Sequence, residues 1–231
     1  MSGAFASMPL LGKAAMLLNF DVEGPAIAEH DDWHTHEHFP ERLSIPGFLR
    51  GTRWVAVRGS PRYTVLYEVD RLETLGSAAY LERLNHPTPW TSKMMPHYRG
   101  MSRGLCSVEG SWGRGVGHFA LLIRFNLAAD SVPQAWLTEQ LLPSLPSRPG
   151  LACVHLLKGA LAAAMTAEQR IRGADSRVDW ALLATGYEFS AVAALEDAEL
   201  GAAALQAHGM SSVSSALYQA AYSLSANEVI T

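Results

Sequence analysis

The chain of 231 residues has little cysteine and no excess of basic charge. Its two cysteines, Cys106 and Cys153, lack the paired spacing of a disulfide framework or a zinc knuckle. We therefore expect two small, buried thiols in a reducing, cytoplasmic compartment. The formal net charge of −4 and a pI near 6.1 leave no basic stripe for a nucleic acid, which is not an expected partner.

Long apolar runs are absent as well. No stretch reaches the roughly 18 consecutive apolar residues of a membrane span, and residues 1–12 lack the charged n-region of a signal peptide. We expect a loose tail there, with neither export nor membrane insertion. The remaining composition, 48% hydrophobic and 17% charged, suffices for one large or two small domains with a substantial core.

An internal repeat is the most informative pattern in the chain. The segment from Trp33 to Gly47 aligns without a gap with the segment from Trp136 to Gly150, because 136 − 33 and 150 − 47 both equal 103. The Trp, one Thr, two Pro and the Gly coincide. A period of this length indicates a duplicated domain, since solenoid repeats have periods of roughly 20–50 residues.

Each half is predicted to contain its elements in the order β-α-β-β-α-β, which is the ferredoxin-like unit. We expect strands at 14–21, 47–57, 62–69 and 100–110 with helices at 26–43 and 71–85, then strands at 118–127, 150–160, 178–189 and 212–224 with helices at 132–142 and 191–208. The predicted fold class is α+β, with tandem ferredoxin-like repeats at 13–112 and 117–228 forming an intramolecular dimeric α/β-barrel. A Gly-rich linker is predicted at 111–117. This internal pseudo-dimer leaves further oligomerisation through exposed sheet edges open.

Alternation along the strands predicts which side chains lie under the helices. One apolar row should face them in the second half: Phe119, Leu121, Ile123, Phe125 and Leu127. The intervening residues, such as Ala120 and Leu122, should face the other sheet. In the first half Asn19, Asp21 and Glu68 fall on this seam between the sheets, where they either hydrogen-bond with one another or contact a ligand.

The first-half helix carries three histidines at every fourth position. His30, His34 and His38 share one face of that helix, whereas His36 points elsewhere. The repeat places Leu137 on His34, Leu141 on His38 and Leu145 on Arg42, so an inward His-His-Arg row replaces an inward Leu row. Burying these groups costs a few kcal/mol unless they find hydrogen-bond partners or a wet cavity.

Two interpretations of this row stay open. In the functional one, His38 is the acid/base candidate, His34 its neighbour, and Arg42 the group that holds a carboxylate, phenolate or enolate. Four polar residues would orient the ligand and one aromatic residue would form a pocket wall: Glu37, Asn19, Asp21, Glu68 and Trp90. In the structural one, the row satisfies itself and Arg42 complements the helix dipole.

Neither a metal nor a haem group is expected. The His-Glu-x-x-His order of metalloproteases is absent, and a zinc site would need a third ligand from another element. His155 lies alone among apolar strand residues, which is more typical of a core histidine than of a haem ligand.

Four segments carry a resemblance to a known family: Trp33 to Arg42, Ile45 to Arg50, Pro61 to Tyr63 and Pro87 to Trp90. They resemble bacterial EthD-like proteins of the dimeric α/β-barrel superfamily, in which a W-x-x-x-E-H-x-P-E-R stretch closes the first helix. The resemblance covers most of residues 14–110, and the second half lacks the Glu-His and Glu-Arg pairs. It implies a superfamily that includes cofactor-free antibiotic-biosynthesis monooxygenases, muconolactone isomerases and haem-containing chlorite dismutases.

The expected function is to bind a small organic molecule, aromatic or polyketide-like, and to transform it without a cofactor by histidine acid/base chemistry in the first repeat. The alternative is a non-catalytic ligand-binding or assembly module with a structural histidine cluster. Whether catalysis occurs stays open at this point. A cavity of about 300 Å³ or more at His34 or His38 would favour a ligand, and a filled cluster would favour the alternative.

Overall fold

The computed structural model describes residues 9–127, 132–160, 166–173 and 175–229. Nine strands lie in these ranges: β1 Ala14–Val22, β2 Phe48–Arg58, β3 Tyr63–Val69, β4 Tyr98–Gly113, β5 Phe119–Leu127, β6 Leu151–Gly159, β7 Ser176–Arg177, β8 Trp180–Gly186 and β9 Met210–Ser225. Eight of them close into a barrel in the order β1-β3-β2-β9-β5-β8-β6-β4, with β4 returning to β1. The short β7 pairs with β4 in parallel.

The two halves of the barrel have the same strand order. It is β4-β1-β3-β2 in the first half and β9-β5-β8-β6 in the second, and the pairs β2–β9 and β4–β6 join the halves. The predicted fold class, tandem ferredoxin-like repeats in an intramolecular dimeric α/β-barrel, is confirmed. The ring of hydrogen bonds is closed, with β7 added along β4, and further oligomerisation through exposed sheet edges stays a prediction.

The helices cover the outside of the barrel. Helix α1 runs as Ile27–Trp33, a π-helical turn His34–His38 and Phe39–Leu43. The others in the described residues are α2 Ala78–Asn85, α3 Pro89–Met94, α4 Val132–Ala135 followed by the π-helical turn Trp136–Leu141, α5 Ala167–Arg172, α6 Phe189–Ala194 and α7 Ala202–Ala207. No helix in this part of the chain is long and apolar enough to cross a bilayer.

Several predicted helix boundaries differ from the structure. The predicted helix 71–85 splits into a 3-10 helix at Leu72–Gly76 and the α-helix α2 from Ala78, where the Ser77 side chain accepts a hydrogen bond from the Tyr80 amide and caps α2. The predicted helix 191–208 is interrupted between α6 and α7. Helices α3 and α5 were not predicted, although each follows a threonine N-cap, Thr88 or Thr166.

The π-helical turns repeat with the period of the sequence. The Phe39 amide donates to the carbonyl of His34, and the Leu142 amide donates to that of Leu137, five residues back in each case. Both pairs differ by 103 in number, as do Gly47 and Gly150, which adopt φ of 91° and 86°. The repeat is therefore visible in backbone conformation, although the limits 13–112 and 117–228 stay predictions. Strand β4 continues to Gly113 and pairs with β6, so 111–113 are strand residues and not a free linker.

The cores follow the predicted alternation. Leu121, Ile123 and Phe125 pack beneath the second-half helices with Leu137. Their neighbours Ala120 and Leu122 point into the barrel, where they meet Leu17, Trp54 and Leu66. The first half has its own outer core around Phe20, Trp33, Phe39, Tyr63 and Tyr67.

The predicted loose tail is wrong for the residues nearest β1. Leu10 is buried inside the barrel, the Leu11 amide donates to Glu68 Oε2 at 2.7 Å, and Arg50 Nη2 donates to the Pro9 carbonyl at 3.2 Å. These contacts hold the segment over the barrel end because a buried carboxylate accepts the backbone amide. Residues 1–8 of the predicted tail lie outside the described residues.

Candidate functional site

The three inward histidines of α1 form a stack. The ring centroids of His30 and His34 are 5.1 Å apart and those of His34 and His38 are 5.3 Å apart, with interplanar angles of 19° and 22°. Residues four apart are neighbours on one face of a helix, which places the three rings in one row. The Trp33 ring lies against this stack, 4.5 Å from His38 between centroids. The prediction that His34 and His38 face inward is confirmed, and His36 is exposed.

His30 is held by partners on both ring nitrogens. Its Nε2 lies 3.2 Å from the Tyr98 hydroxyl and its Nδ1 lies 3.2 Å from Asp31 Oδ1. Tyr63 also donates its hydroxyl proton to that Asp31 oxygen, at 2.9 Å. Burial lowers the pKa of His30 despite the adjacent Asp31 carboxylate. This end of the stack is structural.

His34 is an acceptor toward Arg53. Its Nδ1 is 3.2 Å from Arg53 Nη1, and Arg53 also donates to Thr35 Oγ1 at 3.1 Å. Because a guanidinium only donates hydrogen bonds, His34 is neutral with its proton on Nε2. Burial, followed by the neighbouring His30 and His38, lowers the pKa of His34 well below its ordinary value.

His38 differs from the other two because its buried Nδ1 lacks a hydrogen-bond partner among the described residues. The Glu41 Oε2 atom is 3.8 Å away, which is beyond hydrogen-bond distance. Burial, together with the charge of Arg42, lowers the pKa of His38 well below its ordinary value, so its imidazole is neutral. An unpartnered buried nitrogen is costly and marks a site that a ligand or a water molecule can complete.

A small cavity of about 20 Å³ adjoins His38. Its walls come from β1, α1, α2, β4 and the segment that holds α5: Met16, Leu18, His38, Arg42, Tyr80, Leu84, Arg103, Thr166, Glu168, Gln169 and Arg172. That volume holds about one water molecule and is far below the several hundred cubic ångströms of a ligand pocket. A larger cleft of about 370 Å³ over Gly47, Asp70 and Thr74 does not include His34 or His38.

Arg42 lies at the end of α1 and points into this cavity. Its Nη2 pairs with the Glu168 carboxylate and its Nη1 lies 3.2 Å from Glu41 Oε2. Burial by itself would lower the pKa of Arg42, but the two carboxylates outweigh it and raise that pKa further. Nearby, Arg103 Nη2 donates to the Tyr80 hydroxyl at 3.1 Å, and Arg172 pairs with Asp175 at 2.7 Å.

Two residues predicted to contact the ligand, Glu37 on α1 and Trp90 on α3, are not part of the cavity walls. Glu37 accepts hydrogen bonds from Trp33 Nε1 at 3.1 Å and from Thr88 Oγ1 at 2.5 Å, and thereby ties α1 to the α3 cap. Trp90 donates from Nε1 to Glu29 Oε1 at 3.2 Å. The structure does not bring either residue together with His38 and Arg42.

The three predicted strand residues also lie apart from the histidines. Asn19 accepts from Thr64 Oγ1 at 2.9 Å inside the barrel, and Glu68 pairs there with Arg50 Nε at 2.6 Å. Asp21 is exposed and accepts the Arg62 amide at 2.7 Å. Because neighbouring strand residues face opposite sides of the sheet, side chains on the barrel side cannot meet a helix packed on the outer side.

Sequence reasoning missed the other polar wall residues, among them Tyr80, Arg103, Glu168 and Arg172. A signal for the last two existed: Thr166 and Gln169 form a capping box, and that pattern predicts a helix start. Nothing in the sequence indicated that this helix would cross to the first half.

Other titratable residues have structural surroundings. His155 lies inside the barrel with Nδ1 2.9 Å from Ser111 Oγ and Nε2 3.4 Å from Cys153 Sγ, and burial lowers its pKa to about 3. Burial raises the pKa of the Cys106 thiol to about 12. Among the described residues, no group of three or more His, Cys, Asp and Glu side chains has an arrangement that could hold a metal ion.

The fold has counterparts among solved structures. An anthrone oxidase-like protein superposes with a TM-score of 0.67 at 14% identity, over 95% of this chain and 96% of that one. A proposed monooxygenase from Fusobacterium nucleatum gives a TM-score of 0.58 at 9% identity, over 94% of this chain and 96% of that one. A proposed monooxygenase from Lactobacillus acidophilus gives a TM-score of 0.54 at 11% identity, over 92% of this chain and 96% of that one. No protein-family model and no curated protein matches the chain. At such low identities, the likeness shows a shared whole-chain fold alone.

Proposed function

We propose that this chain, which has the fold of the dimeric α/β-barrel proteins, binds a small aromatic or polyketide-like molecule beside His38 and Arg42 and acts on it by acid/base chemistry. The observation that carries the proposal is the unpartnered Nδ1 of a buried, neutral imidazole at a cavity wall, next to a buried cation. Such a pair combines a proton acceptor with a holder of negative charge.

The chemistry follows from these two groups. A neutral His38 takes a proton from a phenol or from a carbon next to a carbonyl, and the electron pair moves onto the substrate oxygen. Arg42 stabilises the resulting phenolate or enolate, because a guanidinium binds a negatively charged oxygen strongly. Glu41, whose Oε2 is 3.8 Å from His38 Nδ1, stabilises the imidazolium that forms. Stacking on His34 and a tilted contact with Trp33 hold the imidazole plane of His38.

The side chains of the cavity walls suit an aromatic ligand, provided that the cavity widens. Met16, Leu18 and Leu84 supply apolar surface, and Tyr80 supplies an aromatic face. With about 20 Å³ available, a ligand enters only when the α5 side chains move aside. The likeness to an anthrone oxidase-like protein and to proposed monooxygenases supports a small organic ligand, without naming one.

A second candidate, a non-catalytic module with a structural histidine cluster, is favoured by two observations. The cavity is nearly filled, and Arg42 is already paired with Glu168. In that case His38 is a packing residue and no ligand completes its Nδ1.

Exchange of a carbon-bound proton separates these two functions. Anthrone is a suitable probe because removal of its C10 proton gives an aromatic oxyanion. We expect the protein to accelerate deuterium uptake at C10 in D₂O, followed by proton NMR, and His38→Leu to reduce that acceleration by about 10²-fold or more. His36→Gln, a change on the exposed side of the same helix, should exchange like the unaltered protein. Equal exchange with and without His38 would support the non-catalytic module.

A further inference from the structure

The second half of the protein supplies one carboxylate to the cavity wall, that of Glu168. It lies on α5, between β6 and β8, whereas Arg42 belongs to α1 of the first half. Among the residues that line the cavity, Glu168 is the only acidic one; it pairs with Arg42, and Arg103 and Arg172 line the same cavity. Among the wall residues, Glu168 thus supplies one negative charge beside three cations.

The helix that carries Glu168 is held by polar contacts within its own segment and by packing against α2 and residues 95–97 of the first half. Thr166 and Gln169 cap each other, Gln169 Nε2 donates to Asp175 at 2.8 Å, and Arg172 pairs with the same carboxylate. The first half contributes the Arg42 pair and an exposed hydrogen bond from the Ala167 amide to Asn85 Oδ1 at 3.2 Å. The short pairing of β7 with β4 follows further along the chain.

Removing the Glu168 carboxylate would leave the buried Arg42 charge without one of its partners, and an anionic ligand could take that place. Arg42 is 1% exposed, and a buried charge that loses its partner is strongly unfavourable. Glu41 alone would remain at 3.2 Å. A neutral molecule replaces the lost carboxylate only once its own oxygen has become an anion, whereas an anionic oxygen group accepts from the same guanidinium at once.

We infer that the ligand of this cavity carries an anionic oxygen group, a carboxylate or an ionised phenol, which takes the place of the Glu168 carboxylate on Arg42. This inference rests on the proposed function and adds the substrate class to it. Glu168 is then an internal competitor that keeps the buried cation paired and the cavity closed until such an anion arrives.

The test uses two ligands of the same shape and different charge, naphthalene-2-carboxylate and naphthalene-2-carboxamide, with binding measured by calorimetry. We expect the carboxylate to bind the unaltered protein at least about tenfold more tightly than the carboxamide. Glu168→Gln keeps the side-chain shape and removes the competing charge, so the carboxylate should gain about tenfold more affinity as the open state becomes more populated. Arg42→Gln should abolish the preference for the carboxylate.

Each other outcome has a defined meaning. Weaker carboxylate binding to Glu168→Gln would overturn the inference, because Glu168 would then position Arg42 for the ligand and not compete with it. Equal binding of both probes to every variant would overturn it as well, while leaving the proposed function in place. Binding of neither probe to any folded variant would contradict both. Should Glu168→Gln fail to fold, Glu168→Asp serves instead: its shorter side chain pairs less well with Arg42, so naphthalene-2-carboxylate must bind this variant more tightly than the unaltered protein.

Discussion

Arg42 and Glu168 form an ion pair across the two halves, between residues 126 apart in the chain, with side-chain exposures of 1% and 2%. Such a pair contributes less to stability than its burial suggests, because both charges lose their hydration. Breaking one side of it is nevertheless expensive. The pair therefore makes the docking of α5 on the first half sensitive to anything that changes the charge of the cavity.

We expect Arg42→Leu to lower the free energy of unfolding by about 3–5 kcal/mol, because Glu168 stays buried without its partner. The double change Arg42→Leu with Glu168→Leu should recover most of that loss. Urea unfolding of the single and double variants measures the coupling. Arg148 and Glu199 form a matched control pair with side chains 45% and 25% exposed, for which the coupling should stay below about 1 kcal/mol. Additive effects at Arg42 and Glu168 would contradict this account.

His34 and His38 should differ in their contribution to stability. His38→Leu removes a buried nitrogen that has no partner, so the free energy of unfolding should change by less than about 1 kcal/mol. His34→Leu takes the acceptor from Arg53, whose Nε already lacks a partner, and should cost about 1–3 kcal/mol. The measurement is urea unfolding, with the exposed His36→Gln as a control expected within about 0.5 kcal/mol. A larger loss for His38→Leu than for His34→Leu would show that His38 has a structural partner after all.

The stability of the protein should fall as the pH drops below about 6.5, the ordinary pKa of histidine. Burial lowers the pKa of His34 and of His38 in the folded protein, so below that pH the unfolded chain binds protons that the folded protein does not. Stability is fully present above about pH 6.5 and is lost toward the folded pKa, by at most about 1.4 kcal/mol per pH unit for each histidine.

Unfolding in urea at about pH 7.5 and about pH 5.5 measures this dependence. The variant with both His34→Leu and His38→Leu should lose less stability between the two pH values. Part of the pH dependence should remain in this double variant, because burial also lowers the pKa of His30 and of His155. An unchanged dependence in the double variant would mean that neither histidine is buried as a neutral group.

The paired glycines should respond alike to substitution. Gly47 and Gly150 both have a positive φ, and an added Cβ would lie 2.7 Å from Asp70 Oδ1 or 2.4 Å from the Ala191 side chain. We expect Gly47→Ala and Gly150→Ala each to cost about 1–3 kcal/mol in thermal or urea unfolding. Gly24→Ala is the control, because nothing lies within 4 Å of its Cβ position. A tolerated Gly47→Ala beside a destabilising Gly150→Ala would argue against equivalent turns in the two halves.

Much of the fold was predictable because local periodicity carries it. The row that begins at Phe119 alternates every second residue, and a strand turns such a row toward one face whatever its partners are. The inward direction of His34 and His38 followed from Leu137 and Leu141 at the same places of the repeat. Leu137 is fully buried, whereas Leu141 is only partly buried.

The composition of the candidate site was predicted only in part. His38 and Arg42 meet at one cavity, as their spacing on a helix indicates, but Asn19 and Glu68 lie inside the barrel on the opposite face of the sheet. Strand alternation had already separated those residues from the helix-covered face. Grouping them with the histidines ignored that separation, since polarity alone says nothing about which layer a side chain joins.

The sequence by itself determined the duplication, the alternation of the strands and the polar row in the first helix, because these depend on fixed backbone periods and on neighbouring residues. Only the tertiary structure decided that β2 pairs with β9 and β4 with β6, and that α5 brings Glu168 onto Arg42. Contacts between residues so far apart depend on the closure of the whole barrel and on the path of a connecting segment. Neither leaves a periodic signature in the chain.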